Sequence, residues 1–97
     1  MPTYITLLRY TQQGMEKIKD SPKRLTKAKQ AVQKAGGRMK AFYLTAGQYD
    51  GVSIIEAPDD ATYTSCVLGI AAAGAVRTET LRAFTEEEYR KIIAALP

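Results

Sequence analysis

The sequence predicts an α+β fold, with two helices covering one face of a four-stranded sheet and a further helix at the C-terminus. Short segments rich in β-branched and aromatic residues alternate with segments whose apolar residues recur every three or four positions. Gly, Pro or a helix-capping residue marks most of the changes between them. A length of 97 residues, 45% hydrophobic and 25% charged, suits one globular domain spanning residues 1–97.

Four segments have the composition of β-strands. They are residues 3–10, 38–45, 52–57 and 75–84. In the second segment, simple alternation predicts that Met39, Ala41 and Tyr43 share one face of the sheet. The connection at residues 46–51 contains two glycines, so the second and third strands are predicted to form a β-hairpin.

Three segments are predicted as the main helices, because each combines a capping residue with apolar residues at helical spacing. Ser21-Pro22 opens the first, with Ser21 capping the free amides, and this helix runs to about residue 35, before two glycines. Asp59 caps the second, which runs to about residue 73. Thr85 and Glu88 form a capping box at the start of the third.

The predicted order β-α-β-β-α-β is that of the ferredoxin-like fold, extended here by a C-terminal helix. Right-handed crossovers place both internal helices on the same face of the sheet. The other face would expose apolar side chains in a monomer, drawn from Tyr4, Leu8, Phe42, Leu44, Val52, Ile54 and Val76. Because an apolar patch of this size indicates an interface, we expect two copies to pack sheet against sheet as a dimeric α/β barrel.

The residue types that are missing exclude several kinds of site. The chain has no histidine, which rules out histidine-ligated haem, histidine-ligated zinc and every catalytic dyad that uses imidazole. The acidic clusters at residues 59–60 and 86–88 begin helices, where carboxylates complement the helix dipole, so we do not interpret them as metal ligands. We expect no metal and no cofactor.

The compartment is predicted from the cysteine count and the apolar runs. One cysteine, Cys66, cannot form an internal disulfide, which favours a reducing compartment. The N-terminus has no basic leader, and the longest apolar run, residues 66–76, is shorter than the ~20 residues of a transmembrane helix. We expect a cytoplasmic protein with no membrane association.

The net charge of +4 conceals an asymmetry between the two halves of the chain. Residues 1–49 hold ten Lys and Arg against two acids, a net +8, whereas residues 50–97 hold four against eight, a net −4. The basic half would suit phosphate, an anionic surface or the acidic half of a second copy, but the simpler interpretation is one solvated helix face. The third strand lacks the aromatic residues of RNA-recognition folds, so we expect no nucleic-acid partner.

Four motifs occur in order along nearly the whole chain. They are Ile18-Lys19-Asp20-Ser21-Pro22-Lys23-Arg24, Phe42-Tyr43-Leu44-Thr45-x-Gly47-x-Tyr49-Asp50, Ile55-Glu56-Ala57-Pro58-Asp59-Asp60 and Gly74-x-Val76-Arg77-Thr78-x-Thr80-Leu81-Arg82-Ala83-Phe84. Together they resemble the GYD family of small bacterial and archaeal proteins, named for the signature that here is Gly47, Tyr49 and Asp50. The resemblance implies a dimeric α+β barrel and no particular activity. One departure is Gly51, where the family pattern suggests an aliphatic residue.

The candidate site residues lie on the predicted strands and in the hairpin connection. Tyr49 and Asp50 could orient a ligand or act as acid and base, although a structural role in the turn is the more common one for such residues. Arg77 and Arg82 lie on opposite faces of the fourth strand, and each needs a carboxylate or a bound anion. The possible partners are Glu56 and Asp50. The candidate ligand-binding residues are Tyr43, Tyr49, Asp50, Glu56, Arg77 and Arg82.

Three functions remain open from the sequence. The first is a homo-oligomer, a dimer or larger, that binds a small organic ligand in or beside the barrel. The second is a cofactor-independent enzyme, an isomerase or oxygenase acting on a small aromatic or carbonyl substrate, for which no catalytic residue can be named. The third is a structural or interaction protein without a ligand.

Overall fold

A computed structural model describes all 97 residues and contains a four-stranded antiparallel sheet with the strand order β2-β3-β1-β4. The elements, in chain order, are β1 (Thr3–Tyr10), α1 (Gln12–Glu16), α2 (Ser21–Lys34), β2 (Arg38–Leu44), β3 (Gly51–Glu56), α3 (Asp60–Ala72), β4 (Val76–Ala83) and α4 (Glu86–Ala94). A 3-10 turn at Ile18–Asp20 leads into α2. The predicted ferredoxin-like α+β fold with an additional C-terminal helix is confirmed.

The strand register divides the sheet into two faces. The helix face packs against α2 and α3, whereas the opposite face, called here the open face, carries Ile5, Leu7, Val52, Ile54 and Leu81. Of the seven apolar residues considered for a bare face, only Val52 and Ile54 lie on the open face. The other five, Tyr4, Leu8, Phe42, Leu44 and Val76, lie on the helix face.

A β-bulge in β2 corrects the alternation predicted for that strand. The register shifts between Met39 and Ala41, so that Met39 pairs with Ile55 while Ala41 pairs with Ile54. Met39 therefore packs against the core on the helix face, and Ala41 lies on the open face. Simple alternation placed the two residues together because an extra residue on one strand leaves no signal in residue type.

The hydrophobic core occupies one end of the layer between the sheet and the helices, called here the core end. It is built from Tyr4, Val32, Ile55, Ala57 and Tyr63, all of which are buried. The rings of Tyr4 on β1 and Tyr63 on α3 stack with their centroids 4.0 Å apart and their planes 5° from parallel. Two aromatic rings in contact thus join the sheet to α3 at this end.

The hydroxyl groups of the two stacked rings are also paired. The Tyr4 hydroxyl donates to Asp60 at the start of α3. The Tyr63 hydroxyl lies 2.5 Å from the hydroxyl of Thr6 and 2.8 Å from that of Thr80. Burial of the Tyr4 ring, together with its hydrogen bond to Asp60, raises the pKa of Tyr4 to about 12. The core end is therefore held by apolar contact and by a satisfied polar network.

The helix starts follow the sequence signals with one exception. Asp59 caps α3 through a 2.8 Å bond from the Thr62 amide, as predicted. The predicted capping box at the start of α4 is present in both directions between Thr85 and Glu88. The prediction that Ser21 caps α2 is wrong, because the preceding 3-10 turn makes Ser21 the first helical residue.

The helix α4 lies outside the two-layer packing. Every residue of α4 except Glu88 is exposed. Its apolar side chains Tyr89, Ile92 and Ile93, and Leu96 just beyond it, recur at positions i, i+3, i+4 and i+7 and so form one stripe. This stripe is 46% to 63% exposed. No helix of the protein is both long and apolar enough to cross a lipid bilayer.

Candidate functional site

The loop between β2 and β3 is tied to the end of β1. Asp50 contributes three bonds: its amide donates to the Leu8 carbonyl at 2.9 Å, its carboxylate accepts from the Tyr10 amide at 2.9 Å, and its carbonyl accepts from the Thr45 amide at 2.9 Å. The predicted candidate Asp50 thus holds the loop against the central strand. Its carboxylate satisfies a main-chain amide beyond the last residue pair of β1 and β3.

Tyr49 lies over the open face at the same end of the sheet. Its hydroxyl donates to Glu79 on β4, and the Arg9 guanidinium lies 4.6 Å from the centroid of its ring. Arg9 also donates through Nε to the Gln48 carbonyl at 2.9 Å. The hydrogen bond to Glu79 raises the pKa of Tyr49, so the phenol is held in its neutral form. Sequence reasoning missed Arg9, which lies two residues after Leu7 and therefore on the same face of β1.

Tyr43 and Arg77 lie on the open face without a hydrogen-bonding side-chain partner. Tyr43 is opposite Val52 on the edge strand β2 and is 60% exposed. Arg77 is opposite Arg9 on the other edge strand, β4, and forms no ion pair. These two candidates border the open face from opposite edges of the sheet.

The ion pairs differ from those expected. Glu56 pairs with Arg38 at 2.8 Å, because the two residues are directly opposite on β3 and β2. Arg82 lies on the helix face beside Tyr4 and approaches Asp60 at 3.8 Å. The expectation that Glu56 or Asp50 pairs with Arg77 or Arg82 is therefore wrong. The strand register places Arg38 next to Glu56, and the start of α3 places Asp60 next to Arg82.

A cavity of about 660 Å³ lies between the helix face and the helices α2 and α3, at the end of the sheet away from the stacked tyrosines. We call this the cavity end. Its floor includes Leu8, Phe42 and Val76, and its roof is formed by the inward sides of the two helices. None of the six candidate residues lines it. A volume of this size is in the range of small-molecule pockets.

The signal for this cavity is present in the sequence as small side chains. Beside the larger Leu25, Val67 and Ile70, the roof contains several small residues, namely Ala28, Ala31, Ser65, Cys66, Gly69 and Ala73. Gly51 lies behind the floor residues Leu8 and Phe42, both of which an added Cβ would approach to 3.2 Å. Small residues on both inward stripes, rather than any catalytic motif, indicate a space between sheet and helices.

The comparison with known families decides the identity of the chain. Residues 4–93 match the GYD domain. The chain belongs to the GYD family. It is 38% identical over 84 residues to the glutamine synthetase and cystathionine beta-lyase binding protein of Thermus thermophilus, covering 86% of this chain and 88% of that protein. It is also similar to the crystal structure of TTHA0845 from the same organism, with a TM-score of 0.56, 26% identity, and coverage of 88% and 95% of the two chains.

The three residues of the GYD signature have different roles in this protein. Asp50 is a main-chain anchor that fastens the loop to β1. Tyr49 is a surface group that joins Arg9 and Glu79 across the open face. Gly47 has a φ of 154°, which suits a residue without a side chain. The signature therefore shapes one edge of the open face, and it does not contribute to the cavity.

Proposed function

We propose that this GYD protein is an interaction protein that forms a homo-oligomer and binds an enzyme. Its Thermus relative is named for binding glutamine synthetase and cystathionine beta-lyase. The similarity extends over most of both chains. We therefore take these two enzymes as the first partners to test.

The apolar stripe of α4 is the observation that carries the proposal. Tyr89, Ile92, Ile93 and Leu96 are all about half exposed, although an amphipathic helix normally buries its apolar stripe. Phe84, which precedes the helix, is 53% exposed. A contiguous apolar surface of this kind is typical of a protein–protein contact. We assign it to the enzyme partner.

The open face is the surface proposed for a second copy of the chain. Ile5, Leu7, Val52 and Ile54 form its centre, and no helix of the same chain is packed on them in the way that α2 and α3 pack on the other face. Packing two such faces would remove this apolar area from water and produce the dimeric barrel expected for the fold. The Arg9, Tyr49 and Glu79 cluster would then lie at the edge of that contact.

Binding of this protein to immobilised glutamine synthetase and to immobilised cystathionine β-lyase, both taken from the organism that produces this chain, tests the enzyme partner. We expect the wild-type protein to bind at least one of them, and Ile92→Glu to weaken that binding at least tenfold because it places a charge in the apolar stripe. Lys91→Gln, one residue away and outside the stripe, is the matched control. Wild-type protein that binds neither enzyme, or Ile92→Glu that binds as well as wild type, would overturn the proposal.

Native mass spectrometry of the same variants tests the homo-oligomer separately. We expect a dimer or a larger assembly for the wild type and for Ile92→Glu. Val52→Lys, which places a charge at the centre of the open face, should shift the mass to that of the monomer. A monomeric wild type at micromolar concentration would contradict this part of the proposal.

Binding of a small organic ligand is a second candidate function, and the cavity of about 660 Å³ favours it. The enzyme alternative has weaker support, because the candidate carboxylates Asp50 and Glu56 are both engaged by other groups.

We also propose that the protein is located in the cytoplasm, since the free thiol Cys66 suits a reducing compartment.

A further inference from the structure

The cavity end contains space that the chain does not fill with its own side chains. Fifteen of its 24 lining residues are hydrophobic, including Leu25 and Ile70 on the helices and Phe42 on the sheet. The stacked rings of Tyr4 and Tyr63 occupy the core end of the same layer, whereas alanine, glycine and serine form much of the helix side of the cavity end. Two large rings at one end and small residues at the other leave a gap beneath the helices.

The interior of this gap suits an apolar occupant. No fully buried side-chain nitrogen or oxygen atom in the protein lacks a hydrogen-bond partner. The hydroxyl of Thr6 in the cavity wall is already paired with Tyr63. A molecule that enters therefore finds mainly hydrocarbon surface, interrupted on the sheet side by the hydroxyl groups of Ser53 and Thr78.

The rim of the cavity supplies positive charge and no negative charge. The lining contains Arg24 and Lys27, both on α2, and no Asp or Glu. Arg24 is engaged, since its guanidinium donates to the Lys17 carbonyl at 2.9 Å and to the Gly14 carbonyl at 3.4 Å. Lys27 is exposed and takes no part in any of the four ion pairs of the protein.

We propose that the cavity binds a small amphipathic acid, with its apolar body between the sheet and the helices and its carboxylate at Lys27. This inference rests on the second candidate function and does not depend on the enzyme partner. An acid-free lining with one uncommitted ammonium group at the rim favours an anionic head group over a neutral or cationic one. The apolar interior favours an aliphatic or aromatic body over a sugar or a nucleotide.

The occupancy test uses Cys66, which lines the cavity and is the protein's single thiol. Iodoacetamide alkylates this position alone, and intact mass spectrometry measures the rate. We expect decanoate to slow alkylation of Cys66 at least fivefold by occupying the cavity. Decanol, which has the same chain without the charge, should require about tenfold higher concentration for the same effect, equivalent to about 1.4 kcal/mol.

Three variants locate the site. Lys27→Gln should raise the decanoate concentration needed for protection about tenfold and leave decanol unchanged. Lys29→Gln, on the same helix but absent from the lining, is the matched control and should behave as wild type. Ala28→Phe should fill the cavity and abolish the protection by both molecules. Its folding is checked by the unfolding midpoint, which we expect to be unchanged or higher.

Several outcomes would overturn the proposal. Equal protection by decanoate and decanol would show an apolar space without a carboxylate site. No protection by either, with Cys66 already unreactive in the oligomer, would show that a second copy or its α4 fills the gap. Enzyme binding is measured on the same variants as a separate property. If Ala28→Phe loses the protection of Cys66 but still binds the enzyme, ligand binding in the cavity and enzyme binding are independent functions.

Discussion

The core end and the cavity end of the same sheet–helix layer differ in what fills them. At the core end, Tyr4 and Tyr63 stack across the layer and Val32 and Ile55 pack beside them. At the cavity end, the helices present mainly small residues to the sheet and leave about 660 Å³ of space. The difference indicates that the core end provides most of the stability and that the cavity end contributes less to it.

The largest expected effect comes from removing a ring at the core end. Tyr63→Ala deletes one of the stacked rings and the hydroxyl between Thr6 and Thr80, so we expect the free energy of unfolding to fall by about 3–5 kcal/mol. Leu25→Ala, in the half-buried lining of the cavity, should cost about 1 kcal/mol. Urea unfolding measures both. Similar losses for the two variants would show that the ends do not differ in stability.

A smaller effect comes from the Tyr4 hydroxyl. Tyr4→Phe keeps the stacked ring but removes the hydrogen bond to Asp60, and should lower the free energy of unfolding by about 1.5 kcal/mol at pH 7. Because the folded protein raises the pKa of Tyr4 from 10.0 to about 12, this contribution is complete below pH 10 and is lost as the pH rises through 12.

The pH dependence of stability distinguishes the buried Tyr4 hydroxyl from the exposed Tyr43 hydroxyl. Unfolding midpoints measured between pH 8 and pH 12 should fall less steeply for Tyr4→Phe than for the wild type. Tyr43→Phe is the control, because the Tyr43 hydroxyl is exposed and has no hydrogen-bond partner in the protein. The assignment is incorrect if Tyr43→Phe flattens the alkaline profile as much as Tyr4→Phe does.

The smallest expected effect is on the Tm and comes from the helix caps of α3, which packs on the core end, and α4, which lies outside it. Asp59→Ala removes the cap of α3 and should lower the Tm by about 4 °C, whereas Thr85→Ala removes the cap of α4 and should leave the Tm nearly unchanged. The Thr62 amide holds the pKa of Asp59 below its usual value. Its stabilising effect is therefore present at neutral pH and lost as the pH falls through that lowered pKa.

Circular dichroism from pH 7 to pH 2 checks the two caps. The Tm of Asp59→Ala should depend less on pH in the acidic range than that of the wild type. Thr85→Ala should lose part of its helical signal without a matching loss of Tm, because α4 has almost no contact with the core. A Tm loss for Thr85→Ala as large as that for Asp59→Ala would mean that α4 is packed in solution.

The family resemblance and the element order could both be predicted from residues close together in the chain. The Asp59 cap, the capping box of Thr85 and Glu88, and the glycines after the helices all act within a few residues of the backbone they stabilise. The candidate site could be predicted only in part. Tyr49 lies on the open face with partners, but Arg9 was not recognised as one of them.

The sequence by itself determined the order, type and approximate limits of the strands and helices, because periodicity and capping are local. The tertiary structure decided which residues meet. The bulge after Met39, the pairing of Glu56 with Arg38 and the contact between Tyr4 and Asp60 all depend on register or on residues far apart in the chain. The cavity also depends on the tertiary structure. It lies between the sheet and two helices, and the stacking of Tyr4 on Tyr63 holds one of these helices, α3, on the sheet at the opposite end.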